Sequence, residues 1–309
     1  MLRIAAVAHN TFREAVRDRV LYGVLGIATA VLVFTLVLAE VSLDQERRIV
    51  LDVGLASISM FSVLVAVFLG SSLLYKEIER KTLYVILPKP IRRYEFLLGK
   101  YFGIVITAFV FIAVMGAVQL LVTSVQAEAN PLYVVGAAVG LPALLGLWVW
   151  KARDRTAVVL PWSLFALLVA AMVLRTTDVV LAPIMAALVL SMGEVLVLTA
   201  VALFFSAFST PFLTALFAFG VWMVGRSADT MVTMKSDSIP EAVKAVLRQL
   251  VGVWPNFNLF VPGRHTLEHA LTEGAGPLTY VVNNMLYAIA YSFVVLVVAS
   301  LIFQRRDFL

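Results

Sequence analysis

Eight long apolar stretches punctuate the chain, at about 20–40, 53–75, 97–124, 132–150, 156–174, 179–206, 210–226 and 278–303. Several reach the roughly 20 residues that a helix needs to cross a hydrocarbon layer about 30 Å thick. The stretch 97–124 exceeds that need by about two turns and is expected to tilt or protrude. Ser209-Thr210-Pro211 reads as a cap followed by a helix-starting proline. Pro142 and Pro161 fall inside the fourth and fifth stretches, and each either kinks its helix or marks it as shorter. Residues 1–19 differ in kind. Ile4, Ala8, Phe12, Ala15 and Val16 recur at helical spacing among Arg3, Asn10, Arg13, Glu14, Arg17 and Asp18. That pattern predicts an amphipathic helix lying in the membrane interface. The pattern as a whole predicts an all-α, polytopic transmembrane helical bundle forming one domain over residues 1–309.

Composition strengthens this reading. Hydrophobic residues make up 62% of the chain and charged residues 14%, against about 25% charged in a soluble domain. So much apolar surface exceeds what a core of this size hides, and lipid must solvate the rest. There are no cysteines, which excludes disulfides, thiol catalysis and Cys-ligated metals. The net charge of +5 sits beside the apolar stretches, so it points to membrane orientation and not to nucleic acid. No cleavable signal peptide is apparent, because about 19 mixed-charge residues precede an apolar run long enough to be retained as a span.

Lysine and arginine placement orients the spans. With the N-terminus in the cytoplasm, Arg3, Arg13, Arg17 and Arg19 fall on one side. So do the seven basic residues from Lys76 to Lys100, then Lys151, Arg153 and Arg155, and finally Arg305 and Arg306. These are most of the 24 basic residues. Both termini are therefore expected in the cytoplasm, with an even number of spans. The count does not separate eight spans from six.

The loop over 76–96 carries the most distinctive pattern. A helix running on from the second span meets Pro88 and Pro90, which stop it, and a new helix starts near Ile91. The expected product is a stiff elbow with a charged edge (Glu77, Glu79, Arg80, Lys81) and an apolar edge (Ile78, Leu83, Ile86). Such an element suits a groove on a partner protein; the plainer reading is a basic loop obeying the inside rule. No nucleotide-binding loop accompanies it. The one Gly-Lys pair, Gly99-Lys100, is followed by Tyr101 and lacks the glycine five positions earlier that phosphate binding requires. If ATP drives this protein, ATP and Mg²⁺ must be handled by another chain.

Taken in order, the run Glu77-x-Glu79-Arg80-Lys81-Thr82-Leu83, then Leu87-Pro88-Lys89-Pro90-Ile91-Arg92-Arg93, then Glu95-Phe-Leu-Leu-Gly-Lys100 resembles the coupling segment of ABC-2 type transporter permeases. The flavour is that of the group containing the permease of the nitrous-oxide-reductase maturation system. Asn10–Arg19, Phe205–Pro211, Pro255-Asn-Phe-Asn-Leu-Phe260 and Phe303-Gln-Arg-Arg-Asp-Phe308 are similar to the same group. The resemblance implies six core spans, an N-terminal interfacial helix, short external helices before the last span, and a dimeric membrane unit served by two ATPase subunits. It assigns ATPase coupling to Glu77, Ile78, Glu79, Arg80, Lys81, Thr82, Leu83, Pro88, Pro90, Arg92 and Arg93. Residues 131–176 depart from that plan and look like an inserted helical hairpin, with Lys151–Arg155 at its cytoplasmic turn.

Two further places carry chemistry. In the external segment 227–277, Ser238 and Glu241 form a capping box ahead of an apolar stripe ending near Gly252. Trp254 follows at interfacial depth. His265-Thr-Leu-Glu268-His269 fits an inverted zinc-peptidase pattern, but the chain offers no suitable third ligand downstream, so it reads as a solvated external helix. Glu194 lies near the middle of the span 179–206, where a charge costs roughly 3 kcal/mol. It is either a pathway or subunit-contact residue, or a neutral carboxyl bonded to a neighbouring hydroxyl.

The expected function is the membrane-spanning subunit of an ATP-driven exporter in the cell inner membrane. It is not itself an enzyme. Its expected partners are an ABC ATPase, a second copy or a related permease, and lipid. The alternative is a carrier driven by an ion gradient, which calls for several intramembrane charges and internal repeats. An intramembrane enzyme would need a converging catalytic set, which the spans lack. The substrate is not legible.

Overall fold

The computed structural model describes residues 2–42, 45–79, 92–227, 254–261 and 277–305. These residues form an all-helical bundle, and no strand occurs among them. The helices are α1 (Leu2–Val16), α2 (Arg19–Val41), α3 (Glu46–Glu79), α4 (Arg93–Gln126), α5 (Pro131–Lys151), α6 (Val159–Leu174), α7 (Leu181–Ser206), α8 (Pro211–Arg226) and α9 (Pro277–Arg305). A single 3₁₀ turn, Phe257–Phe260, precedes α9. Six of the helices are long and apolar enough to cross a membrane, whereas α6 and α8 are shorter apolar helices. The protein is multi-pass.

The helices follow the apolar stretches closely, because length in lipid is set by the thickness to be crossed. α3 and α4 each run to 34 residues, about 51 Å at 1.5 Å per residue, so both extend beyond the hydrocarbon. Pro142 lies inside an unbroken α5. Pro161 instead trims α6. It occupies the first turn, where a missing N–H costs nothing, so the helix begins at Val159 and not at 156. Residues 152–158 form turns ahead of it.

Three helices make the centre. α3, α4 and α7 pack on one another, α9 and α8 lie on α7, α2 lies on α3, and α1 and α6 lie on α4. Many of the fully buried residues, among them Leu69, Leu97, Ile104, Leu198 and Leu203, come from this central trio. The α5–α6 hairpin keeps an apolar cluster of its own against the outer side of α4, built on Leu120, Leu141, Trp162 and Ala170. There the Trp162 indole N–H donates to the Leu141 carbonyl at 3.0 Å. α2 and α9 present exposed apolar side chains such as Phe34, Val37, Phe293 and Leu301, a surface that lipid or another chain must cover.

The start of α4 gathers one end face of the bundle. α1 lies against it with Ala8, Thr11, Phe12 and Ala15 buried. This close approach is possible because Gly99 and Gly103 lack a Cβ: one at Gly99 would strike Val7, and one at Gly103 would strike Thr11. The last turn of α9 reaches the same face, where Phe303 stacks on Phe96 and the Arg93 guanidinium donates to the Phe303 carbonyl at 3.3 Å. The beginning of the chain and the end of α9 therefore share one face. The end of α5 and the 152–158 turn join them there.

Candidate functional site

α8 has only 16 residues, about 24 Å of helix, which leaves nothing to spare in a crossing. Its last residue, Arg226, consequently ends among neighbouring helices, and a guanidinium there needs a counter-charge. Glu194, at the middle of α7, supplies it. The carboxylate is fully buried and accepts from Arg226 Nη1 at 2.6 Å. It also accepts from Trp222 Nε1 at 2.7 Å and from Ser59 Oγ at 2.6 Å. Arg226 donates a second, longer bond to Ser59 Oγ at 3.3 Å and lies over the Trp222 ring. Trp222 and Arg226 are four apart and so share a helix face. α3, α7 and α8 thus meet at one carboxylate whose two oxygens are both occupied.

Above this cluster the chain folds back on itself. Residues 254–261 lie against α7 and α8, with Phe257 and Phe260 buried. Two glycines admit them. A Cβ at Gly193 would meet the Phe260 ring, and one at Gly225 would meet the Pro255 carbonyl. These glycines directly precede Glu194 and Arg226 in sequence, so the backbone positions that receive the segment also hold the ion pair. The Trp254 indole donates to Val221 O at 3.0 Å. From α9, the Tyr287 hydroxyl accepts from the Asn256 amide at 3.1 Å, and the Tyr280 hydroxyl donates to Leu259 O at 2.9 Å. Trp254, expected at interfacial depth, is held against α8 as part of this inserted segment. The capping box at Ser238–Glu241 and the His265–His269 motif lie outside the described residues.

The shared end face is tied by charge. Lys100 is almost fully buried, with its ammonium 3.7 Å from Glu14 and over the Phe96 ring. The Gly99-Lys100 pair is therefore a packed helix interior beneath α1. Arg3 lies 3.8 Å from Glu95. Asp154, in the 152–158 turn, is reached from α1 by Arg13 at 3.8 Å and by His9 at 4.0 Å. His9 is thus an exposed polar contact. The Thr156 hydroxyl donates to Asp154 at 2.8 Å, and chiefly for that reason the Asp154 carboxyl is held below its ordinary value. Desolvation opposes this, while the Thr156 amide, Arg13 and His9 add to it by smaller amounts.

The elbow residues are only partly in view. Glu77, Ile78 and Glu79 form the last turn of α3, while Arg80, Lys81, Thr82, Leu83, Pro88 and Pro90 lie outside the described residues. Arg92 stands at the N-cap of α4, where its amide donates to Glu95 at 2.9 Å. Arg93 is the first helical residue and ties α4 to α9. The two flanks of the elbow are therefore the long central helices α3 and α4.

Glu194 was singled out by sequence, but its partners were not. Ser59 is 135 residues away and Arg226 is 32 away. The signal that was there to read was Arg226 closing the shortest of the apolar stretches.

No curated protein matches the chain at a significant level. A central trio of helices, two of them running on past the hydrocarbon, leaves apolar flanks for lipid or a second subunit, as a multi-pass membrane protein requires. In agreement, residues 5–308 match the family model described as ABC-2 family transporter protein, and the chain belongs to that family.

Proposed function

We propose that this chain is the membrane-spanning subunit of an ATP-driven exporter, paired with a second permease copy or a related permease and with two separate ATPase subunits. The observation that carries the reading is the family match over nearly the whole length in a chain whose sequence has no phosphate-binding loop. On this reading the energy arrives from another protein. Residues 76–96 are the docking elbow, with Glu77, Glu79, Arg80 and Lys81 as its charged edge, Ile78 and Leu83 on its apolar edge, and Pro88 and Pro90 making it stiff. ATP binding closes the ATPase pair, and the elbow passes the push to α3 and α4. A shift of α3 moves Ser59 against Glu194, so the buried ion pair stands where movement of the driven helices meets the inserted segment. The bundle changes state by as much as the nucleotide distinguishes its two conformations.

On this reading both termini face the cytoplasm of a cell whose inner membrane holds the protein. Residues 131–176 add two crossings to a six-span core, and α1 lies at the cytoplasmic interface. Co-purification of the native complex tests the proposal. A stoichiometric ATPase chain supports it, and a lone chain that transports without ATP rejects it. Glu77→Arg with Glu79→Arg should reduce ATPase pull-down at least about tenfold, in line with like charges set against a complementary groove, with membrane insertion intact. Unchanged pull-down would remove the elbow from the mechanism.

A further inference from the structure

A cavity of about 500 Å³ opens beside α1, between α2, α4 and the α5–α6 hairpin. Its walls are unequal. At the shared end face it is bordered by Arg17, from the α1–α2 connection, and by Arg155, from the 152–158 turn. Away from them the lining is apolar, with Leu25, Phe111, Val114, Leu145 and Val149 among the residues. From Thr107 to Val114 the α4 wall alone extends about 10 Å along the helix axis. Both arginines are exposed, and neither takes part in an ion pair among the described residues. Asp154 is held by Arg13, His9 and Thr156, and the Asp18 carboxylate caps α2 through the Val20 amide.

A cavity in a membrane protein that is cationic at one end and apolar along its length matches one kind of molecule, an anionic head on a hydrocarbon tail. We propose that this cavity holds an anionic glycerophospholipid, with its phosphate between Arg17 and Arg155 and one acyl chain running along α4 toward Val114. A free phosphate would leave the apolar length empty. A zwitterionic lipid would bring its own cation to the two guanidiniums. The seat joins the α1–α2 connection to the hairpin turn, so an occupied cavity couples the N-terminal helix to α5 and α6.

The test uses the full chain, delipidated in detergent, with lipid binding followed by native mass spectrometry. Dioleoylphosphatidylglycerol should bind at least about tenfold more tightly than dioleoylphosphatidylcholine, the preference expected of two head-group arginines. Arg17→Gln with Arg155→Gln should abolish the preference. Lys151→Gln with Arg153→Gln, which removes as much charge from the same face outside the cavity, should keep it. Val114→Trp, filling the apolar end with the arginines intact, should weaken phosphatidylglycerol about tenfold, and this variant decides the matter if the double arginine variant does not fold. Equal binding of the two lipids, a preference that survives loss of Arg17 and Arg155, an equal loss in the Lys151/Arg153 variant, unchanged binding in Val114→Trp, or displacement of the lipid by millimolar inorganic phosphate would each overturn the proposal.

Discussion

Glu194 is surrounded by protein on every side, so its charge is stabilised only by the groups that touch it. Arg226→Met would leave the carboxylate buried without its counter-ion and should cost about 3–5 kcal/mol of stability, read from thermal or denaturant unfolding in detergent. Combining it with Glu194→Met should recover most of that loss, because an apolar pair of similar size needs no desolvation. A double variant as unstable as the single one would mean that packing and not charge explains the effect. Asp154 offers a pH handle on the other face. Its folded carboxyl titrates below the ordinary 3.8, so its stabilising contribution is fully present above that value and is lost as pH falls through the lower, folded one. The stability gap between the native chain and Asp154→Asn should therefore persist down to the ordinary carboxyl range and narrow only as pH falls below 3.8, as measured by melting curves. Glu194 was legible from sequence because a carboxylate in an apolar run always needs an explanation. Its partners were not, because periodicity along one helix carries no information about which distant helix lies alongside it.

Among the elements, spans were the easiest to read, since lipid imposes a length and leaves few alternatives. Proline placement then decided details: Pro142 was absorbed into α5, while Pro161 fixed the start of α6. The segment 254–261 resisted the same logic. It is too short for periodicity to register, and its fixing points are side chains on α7, α8 and α9. Its dependence on Gly225 is open to test in a chain with no native cysteine. Leu259→Cys should react slowly with a thiol reagent in the native background. Adding Gly225→Ala, whose new methyl would strike the Pro255 carbonyl, should speed the reaction about tenfold or more by favouring the open form. Gly220→Ala is the control, because a Cβ there meets nothing within 4 Å, and the labelling rate should not change.

For the whole molecule, the undecided matter in sequence was whether residues 131–176 cross twice, since losing or adding a helical pair leaves the parity of the spans unchanged. The folded hairpin brings its turn to α1 through Asp154, which places 152–158 at the end face shared with the start of the chain. Two single-cysteine variants make this testable in membranes. A reagent that cannot cross the bilayer should label Ala127→Cys from outside intact spheroplasts and Arg153→Cys only after the cells are opened. Labelling of both from the same side would mean that the hairpin does not cross. Subunit pairing was legible only through family resemblance, because a lipid-facing stripe and a helix-pairing stripe use the same apolar residues. The insertion at 254–261 has one more consequence. Its anchors belong to three different helices, so spreading any two of them by the reach of one side chain breaks at least one attachment. The inserted segment is therefore tied to bundle geometry directly. Its seating depends on all three helices keeping their spacing, and helices that parted would release it.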